Sequence, residues 1–316
     1  MKIQDIAKIA GVSPATVSRV FSHHTNVSED IRNKVLEAAK ANNYYPSLTS
    51  RQRNIVLITP YAEKYPAPSC VQMLILTLTR ILPLRNFRLE IVPQDNIERL
   101  SIIQFCAAVA IGIDPDEFKD WNKKFNEPLI ILDRMGENPS PNVYFVRSDE
   151  YQGMALALDK LINANCRKIA CIIHGPKDVG NAGIRHKAIC SYFEKNNMPE
   201  LKKWVFCAED HEYLEIIGKL LREDINALFC PGGGGGILAS YALFLFNKNV
   251  PNDVSIIASE QTIFSRYGTP PQTTIVPSYD DMAQEVANVI EHHYSCKKTS
   301  KDIVLPYCLI SRESVK

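Results

Sequence analysis

From residue 54 onward, apolar runs of strand length alternate with segments of helical periodicity, and nothing else in the 316 residues restricts the fold as much. The runs 55–59, 89–92, 107–111, 129–132, 168–173, 227–230 and 254–258 are dominated by Val, Ile, Leu and Ala. A strand that is apolar on both sides has to be covered on both faces, the condition of a parallel sheet clothed in helices. Segments 70–84, 150–164, 185–196, 212–222, 236–248 and 279–294 carry the helical spacing that supplies this cover. About ten such units exceed what one twisted sheet holds comfortably. The expected body is therefore α/β, two doubly wound parallel sheets forming two lobes with a cleft between them.

Residues 1–46 follow another rule. Ile3, Ile6, Ala7 and Ala10 recur at three- and four-residue spacing, and Gly11 then supplies a residue that tolerates a left-handed turn. Ser13 is a good N-cap, and Pro14 stands at the first helical position, where its missing N–H costs nothing. Val17, Val20 and Phe21 make the inner face of this second helix, leaving Ala15, Ser18, Arg19 and Ser22 outward. Ser28 opens a third helix, with Glu29 and Asp30 at the positive end of its dipole and Ile31, Val35, Leu36 and Ala39 as its apolar stripe. Two short helices around a tight turn, closed by a third, form an all-α helix-turn-helix head.

The outer face of the second helix begins with small side chains, so its N-terminus can approach base edges in a major groove. Arg19 can reach a guanine or a phosphate, and the Ala15 methyl can meet a thymine methyl. Thr16 and Ser28 are natural phosphate ligands. Residues 1–53 hold eight Lys/Arg against four Asp/Glu, while the remainder holds 28 against 31. A basic head on a slightly acidic body suits a protein that presents one end to a polyanion. Spacing alone also fits an ordinary three-helix bundle.

The string from Ile3 to Val20, IQDIAKIAGVSPATVSRV, followed by Asn26-Val-Ser, Arg32, Val35-Leu36 and Tyr44-Tyr45-Pro46, resembles the DNA-binding head of the LacI/GalR family of bacterial regulators. The resemblance implies that Pro14, Ala15 and Arg19 hold base-reading positions with Ser18 and Asn26 beside them, and that Lys2, Thr16 and Ser28 contact the DNA backbone. It also implies a homodimer on a pseudo-palindromic operator. The family carries a hinge helix after the head, whose leucine wedges into the minor groove. Here only Ser-Leu-Thr-Ser-Arg-Gln-Arg-Asn separates Pro46 from Ile55. So short a segment makes a marginal helix, and Arg51 and Arg53 are expected to track phosphates, with Leu48 as the alternative wedge.

The likeness continues through Leu132-Asp-Arg134, Asp149 with Gly153, residues 250–255, Thr269-Pro-Pro-Gln-Thr-Thr274 and the closing stretch 305–314. It implies a periplasmic-binding-protein-like effector body over 55–316, beyond a linker at 47–54. The expected N-lobe is 55–147 with 278–302, and the C-lobe 148–277 with 303–316. In the family the cleft takes a small effector, often a sugar, whose hydroxyls need carboxylates, amides and Arg with an aromatic wall. Asp149 and Arg185 stand at matching positions, and Tyr61 and Tyr65 are candidates for the wall. Leu74 and Leu78 are the candidate dimer contacts.

Two usual polar positions are missing. The Asn-Asp pair after the strand ending at Cys230 is replaced by Gly232–Gly236, and a Gly-Phe-Asp-Asp-like stretch reads Ala258-Ser-Glu-Gln, with Glu260 as the one surviving carboxylate. The glycines, Gly233 at their centre, admit three readings: an anion cradle, a loop that orders on binding, or a degenerate site. The effector is accordingly carbohydrate-like or anionic. The alternative is a body that binds no sugar and serves as a dimerisation or protein-docking platform.

Other chemistries are disfavoured. Nine cysteines are scattered without zinc or redox spacing. His174 has no nucleophile-elbow neighbour, and the adjacent His292 and His293 do not share a helix face. No catalytic residue, metal or cofactor is expected. The charged N-terminus and the lack of a long apolar run point to the cytoplasm and away from a membrane.

Overall fold

A computed structural model describes residues 2–21, 26–42, 44, 53–60, 69–136, 141–177, 180–260, 263–295 and 297–316. The head is three helices, α1 (Ile3–Ala10), α2 (Pro14–Phe21) and α3 (Glu29–Ala41). Gly11 ends α1 at φ 66°, and Ser13 Oγ accepts the backbone N–H of Thr16 at 3.1 Å to cap α2. Ile6, Val17, Val20 and Val35 are fully enclosed, with Phe21 and Tyr44 packing edge to face at 5.9 Å. These few apolar side chains are the core that so small a domain can build.

The chain divides into two compact units, one taking the head, 53–60, 73–147 and 279–303 and the other 69–72, 148–278 and 304–316. In the first, β1 (Asn54–Thr59), β2 (Arg88–Pro93), β3 (Ala107–Ile111), β4 (Leu129–Leu132), β5 (Val143–Ser148) and β11 (Asp302–Leu305) form a sheet in the order β11-β5-β4-β3-β1-β2. In the second, β6 (Ile169–His174), β7 (Val205–Ala208), β8 (Ala227–Cys230), β9 (Ser255–Ser259), β10 (Thr273–Pro277) and β12 (Tyr307–Ile310) run β12-β10-β9-β8-β6-β7. The same order, second-first-third-fourth-fifth, is used twice, and each sheet is closed by a strand from the far end of the chain. The pairings among β1–β4 and β6–β9 are parallel, and β12 lies antiparallel to β10.

The helices are α4 (Ser69–Ile81), α5 (Trp121–Lys124), α6 (Glu150–Asn163), α7 (Gly180–Lys195), α8 (Tyr213–Leu221), α9 (Gly235–Leu245), α10 (Ile263–Tyr267) and α11 (Tyr279–Tyr294). The strand interiors Ile55–Ile58, Ala107–Ile111, Leu129–Leu132, Ile169–Ile173 and Ala227–Cys230 are buried throughout. That is the two-faced cover their composition demands. The strands β5, β7, β10, β11 and β12 were outside the apolar-run pattern, because they are short or mix polar residues with apolar ones.

One expectation is overturned here. Leu74 and Leu78 are 1% and 0% exposed within a single chain, so they pack in their own core and are not a dimer surface. On α4 it is Leu76, at 64%, that faces outward.

Candidate nucleic-acid interface and effector site

On α2 the helical period separates two populations cleanly. Val17 and Val20 are buried, while Pro14, Ala15, Ser18 and Arg19 are exposed. The outer row carries little bulk until Arg19, so the backbone can come close to a groove floor and let one long cation reach further. Asn26 and Ser28 are exposed at the entrance to α3. The Thr16 hydroxyl is tied to Ser13 Oγ at 2.9 Å and is half-buried. Lys2 is exposed, its backbone N–H donating to Asp5 Oδ2 at 2.8 Å, which leaves the ammonium clear of the cap.

Arg53 is placed differently from its expected role on phosphates. Its guanidinium lies 4.4 Å over the Phe87 ring, donates to the Arg85 carbonyl at 3.0 Å and sits 3.6 Å from Glu291. Stacked and paired, with 21% of its side chain exposed, it fastens the start of β1 to the body. Arg51, Leu48, Tyr61 and Tyr65 lie outside the described residues.

In the second unit the chain reverses its order of strand addition between β6 and β8, and the carboxyl ends flanking such a switch are where open α/β sheets hold ligands. His174 ends β6, and its backbone N–H donates to the Pro231 carbonyl at 3.1 Å, directly after β8. Gly232–Gly236 follow. Four of the five are closely packed. A Cβ at Gly232 would stand 2.7 Å from Arg185 Nη1, and one at Gly233 2.4 Å from His174 Cγ. At Gly235 it would meet the Tyr213 hydroxyl at 2.6 Å, and at Gly236 the Ala258 Cβ at 2.5 Å. Gly232 and Gly233 also have φ of +91° and +49°, a region that favours glycine. Only Gly234 faces open space.

The polar side chains nearby are tightly organised. Arg185 on α7 meets Glu150 in a two-pronged pair, Nε to Oε2 at 2.8 Å and Nη2 to Oε1 at 2.9 Å, and both side chains are largely buried. The Tyr307 hydroxyl donates to Glu150 Oε1 at 3.0 Å. Asp149, by contrast, caps α6, its Oδ1 accepting from the Gln152 N–H at 3.0 Å. Glu260 is gripped by Arg312 at 3.0 and 3.2 Å and accepts from the Thr274 hydroxyl. Ser259 Oγ accepts the Gly232 N–H at 2.8 Å. Glu150 and Tyr307 are thus tied into one cluster with Arg185, and the adjacent acids at 149 and 150 were the sequence signal for the first.

Burial pushes the Cys230 thiol up to about 12 and raises Cys171 well above its ordinary value, so these two thiols on neighbouring strands stay protonated and inert. Among the described residues no three His, Cys, Asp or Glu side chains are arranged to hold a metal ion. Among the same residues no helix is long and apolar enough to cross a membrane.

A helix-turn-helix head with an outward reading face, joined to a body of two doubly wound sheets, defines a DNA-binding regulator of transcription. The chain belongs to the lacI family of bacterial regulatory proteins, whose model matches residues 2–47, while a periplasmic binding protein-like domain matches residues 158–315. It is similar over its length to the ribose operon repressor of Lactococcus lactis, 25% identical with 99% of this chain and 98% of that protein covered. The sucrose operon repressor of Streptococcus mutans is 26% identical, covering 99% of each. The fold matches the lac repressor dimer bound to operator and the anti-inducer ONPF, with a TM-score of 0.70 at 18% identity over 99% of this chain and 98% of that one.

Proposed function

We propose that this regulator is a cytoplasmic repressor that binds a pseudo-palindromic operator as a homodimer and is controlled by a small effector, carbohydrate-like or anionic. The observation that carries the operator reading is the exposed row Pro14, Ala15, Ser18 and Arg19 above the buried Val17 and Val20. Support for repression and for a small effector comes from the full-length similarity to the ribose and sucrose operon repressors. In this reading the effector docks beyond the carboxyl ends of β6 and β8, with Arg185, Glu150 and the backbone at Gly233 around it. Asp149 and Glu260 act from behind, fixing α6 and the C-terminal strand.

The test uses the full chain and an operator selected from random duplexes. Arg19→Ala is expected to cut preference for that operator over random DNA by at least about tenfold, leaving salt-sensitive nonspecific binding in place. Unchanged preference would refute base reading by Arg19.

A second reading, a body that docks a protein or serves only to dimerise, is favoured by one feature. The carboxylates of Glu150 and Glu260 are each held by an arginine of the same chain. Thermal stabilisation by a sugar or sugar phosphate would overturn it.

A further inference from the structure

We infer that His174, oriented by Asp210, is the residue that reads a hydroxyl of the effector, in place of the side chains missing from Gly232–Gly236; this rests on the effector reading proposed above. The glycine loop offers only backbone on its side of the switch point. Across from it, the His174 ring fills the volume into which a side chain at 233 would project, with Cγ and Cδ2 2.4 and 2.5 Å from that Cβ position. The reading group has changed sides, from the loop after β8 to the end of β6.

The imidazole is also directed. Its Nδ1 is buried, makes no hydrogen bond among the described residues and lies 3.4 Å from Asp210 Oδ1, in the turn that precedes α8. A carboxylate on that side favours the proton on Nδ1, which leaves the lone pair on Nε2. Nε2 makes no hydrogen bond to any described residue. The other side-chain acceptors around the switch are already engaged, Glu150 by Arg185, Glu260 by Arg312 and Ser259 by Gly232. An unengaged acceptor nitrogen beside the switch point matches the donor proton of a sugar or polyol hydroxyl, a contact that discriminates strongly when it is lost.

The experiment is a calorimetric titration of the full-length protein with the neutral sugar that most stabilises it in a panel of pentoses, hexoses, disaccharides and their monophosphates. His174→Ala is expected to weaken that sugar by at least about tenfold, and Asp210→Asn by less, since it releases the ring without removing it. His174→Gln, whose amide oxygen restores an acceptor, should recover most of the affinity. Operator binding without sugar should not move in any of the three. Equal affinity of wild type and His174→Ala would overturn the assignment while leaving effector control standing. If only monophosphates bind, the hydroxyl reading falls in favour of an anion contact. If nothing in the panel stabilises the wild type, the effector reading itself fails.

Discussion

Gly233 and Gly234 are neighbours in one run, and physical chemistry sets them far apart. At 233 a methyl group would need a left-handed backbone and would stand 2.4 Å from the His174 ring. The backbone costs about 1 kcal/mol and displacing a packed ring adds about 1–3. At 234 φ is −84° and the space is open, so Gly234→Ala should be close to neutral and gain slightly from a stiffer unfolded chain. Gly233→Ala is therefore expected to destabilise the second unit by about 2–4 kcal/mol, and Gly234→Ala to change it by less than about 1. Urea unfolding followed at Trp204, the second unit's indole, checks both. Comparable losses at the two positions would refute the packing account. At this scale the sequence was only partly informative. The five glycines were visible, but their cause lies in Arg185, His174, Tyr213 and Ala258, which the fold brings from distant positions. Likewise Asp149 and Glu150 are indistinguishable by composition. One step along a helix start makes the first a cap and turns the second into the partner of a buried arginine.

Among the elements, α11 carries the most pronounced pH signal. His293 is buried against the first sheet, with Nδ1 3.2 Å from the Tyr144 hydroxyl. Burial, with Lys301 adding to it and Glu127 opposing, holds the imidazole down at about 4 against an ordinary 6.5. Below 6.5 the unfolded chain takes up a proton that the folded unit refuses until about 4, so stability is complete above 6.5 and falls as pH drops through that interval. The loss is about 3 kcal/mol at 1.36 kcal/mol per unit. In a Trp204→Phe background, where Trp121 alone reports on the first unit, His293→Gln should remove most of this slope between pH 6.5 and 4.5. An unaltered slope would assign the acid sensitivity elsewhere. The element scale was also where the sequence spoke most clearly. Long apolar strands and the caps at Gly11 and Ser13 were readable because they depend on local steric rules. The face of α4 was not, because Leu74, Leu76 and Leu78 are chemically alike and its apolar residues run almost all the way round.

For the molecule as a whole, the decisive question is how two heads come to act on one operator. A single head of this size covers too little DNA for a tight specific complex, so two must be linked through the body. The second unit exposes an apolar patch made by two contacting helices, Tyr241 and Phe244 on α9 with Ile263, Phe264 and Tyr267 on α10. Phe244 and Tyr267 are 76% and 73% exposed, and large aromatic side chains clustered in this way mark an interaction site on a soluble protein. A two-fold axis through such a patch lets it cover itself, which needs no further complementary surface. Replacing both aromatics by glutamate, Phe244→Glu with Tyr267→Glu, places four carboxylates face to face across that axis. Sedimentation equilibrium should then show a monomer, with the head still folded because its core is separate. Binding to an isolated half-site should survive, while affinity for the full operator should fall by about 100-fold or more, the advantage that linkage confers. Were the double variant to remain dimeric with full operator affinity, the interface would have to be sought at another exposed apolar group, Leu76 of α4 being the first to test. Loss of half-site and full-site binding together would instead show that the substitutions had damaged the heads, and the half-site measurement is what separates these cases.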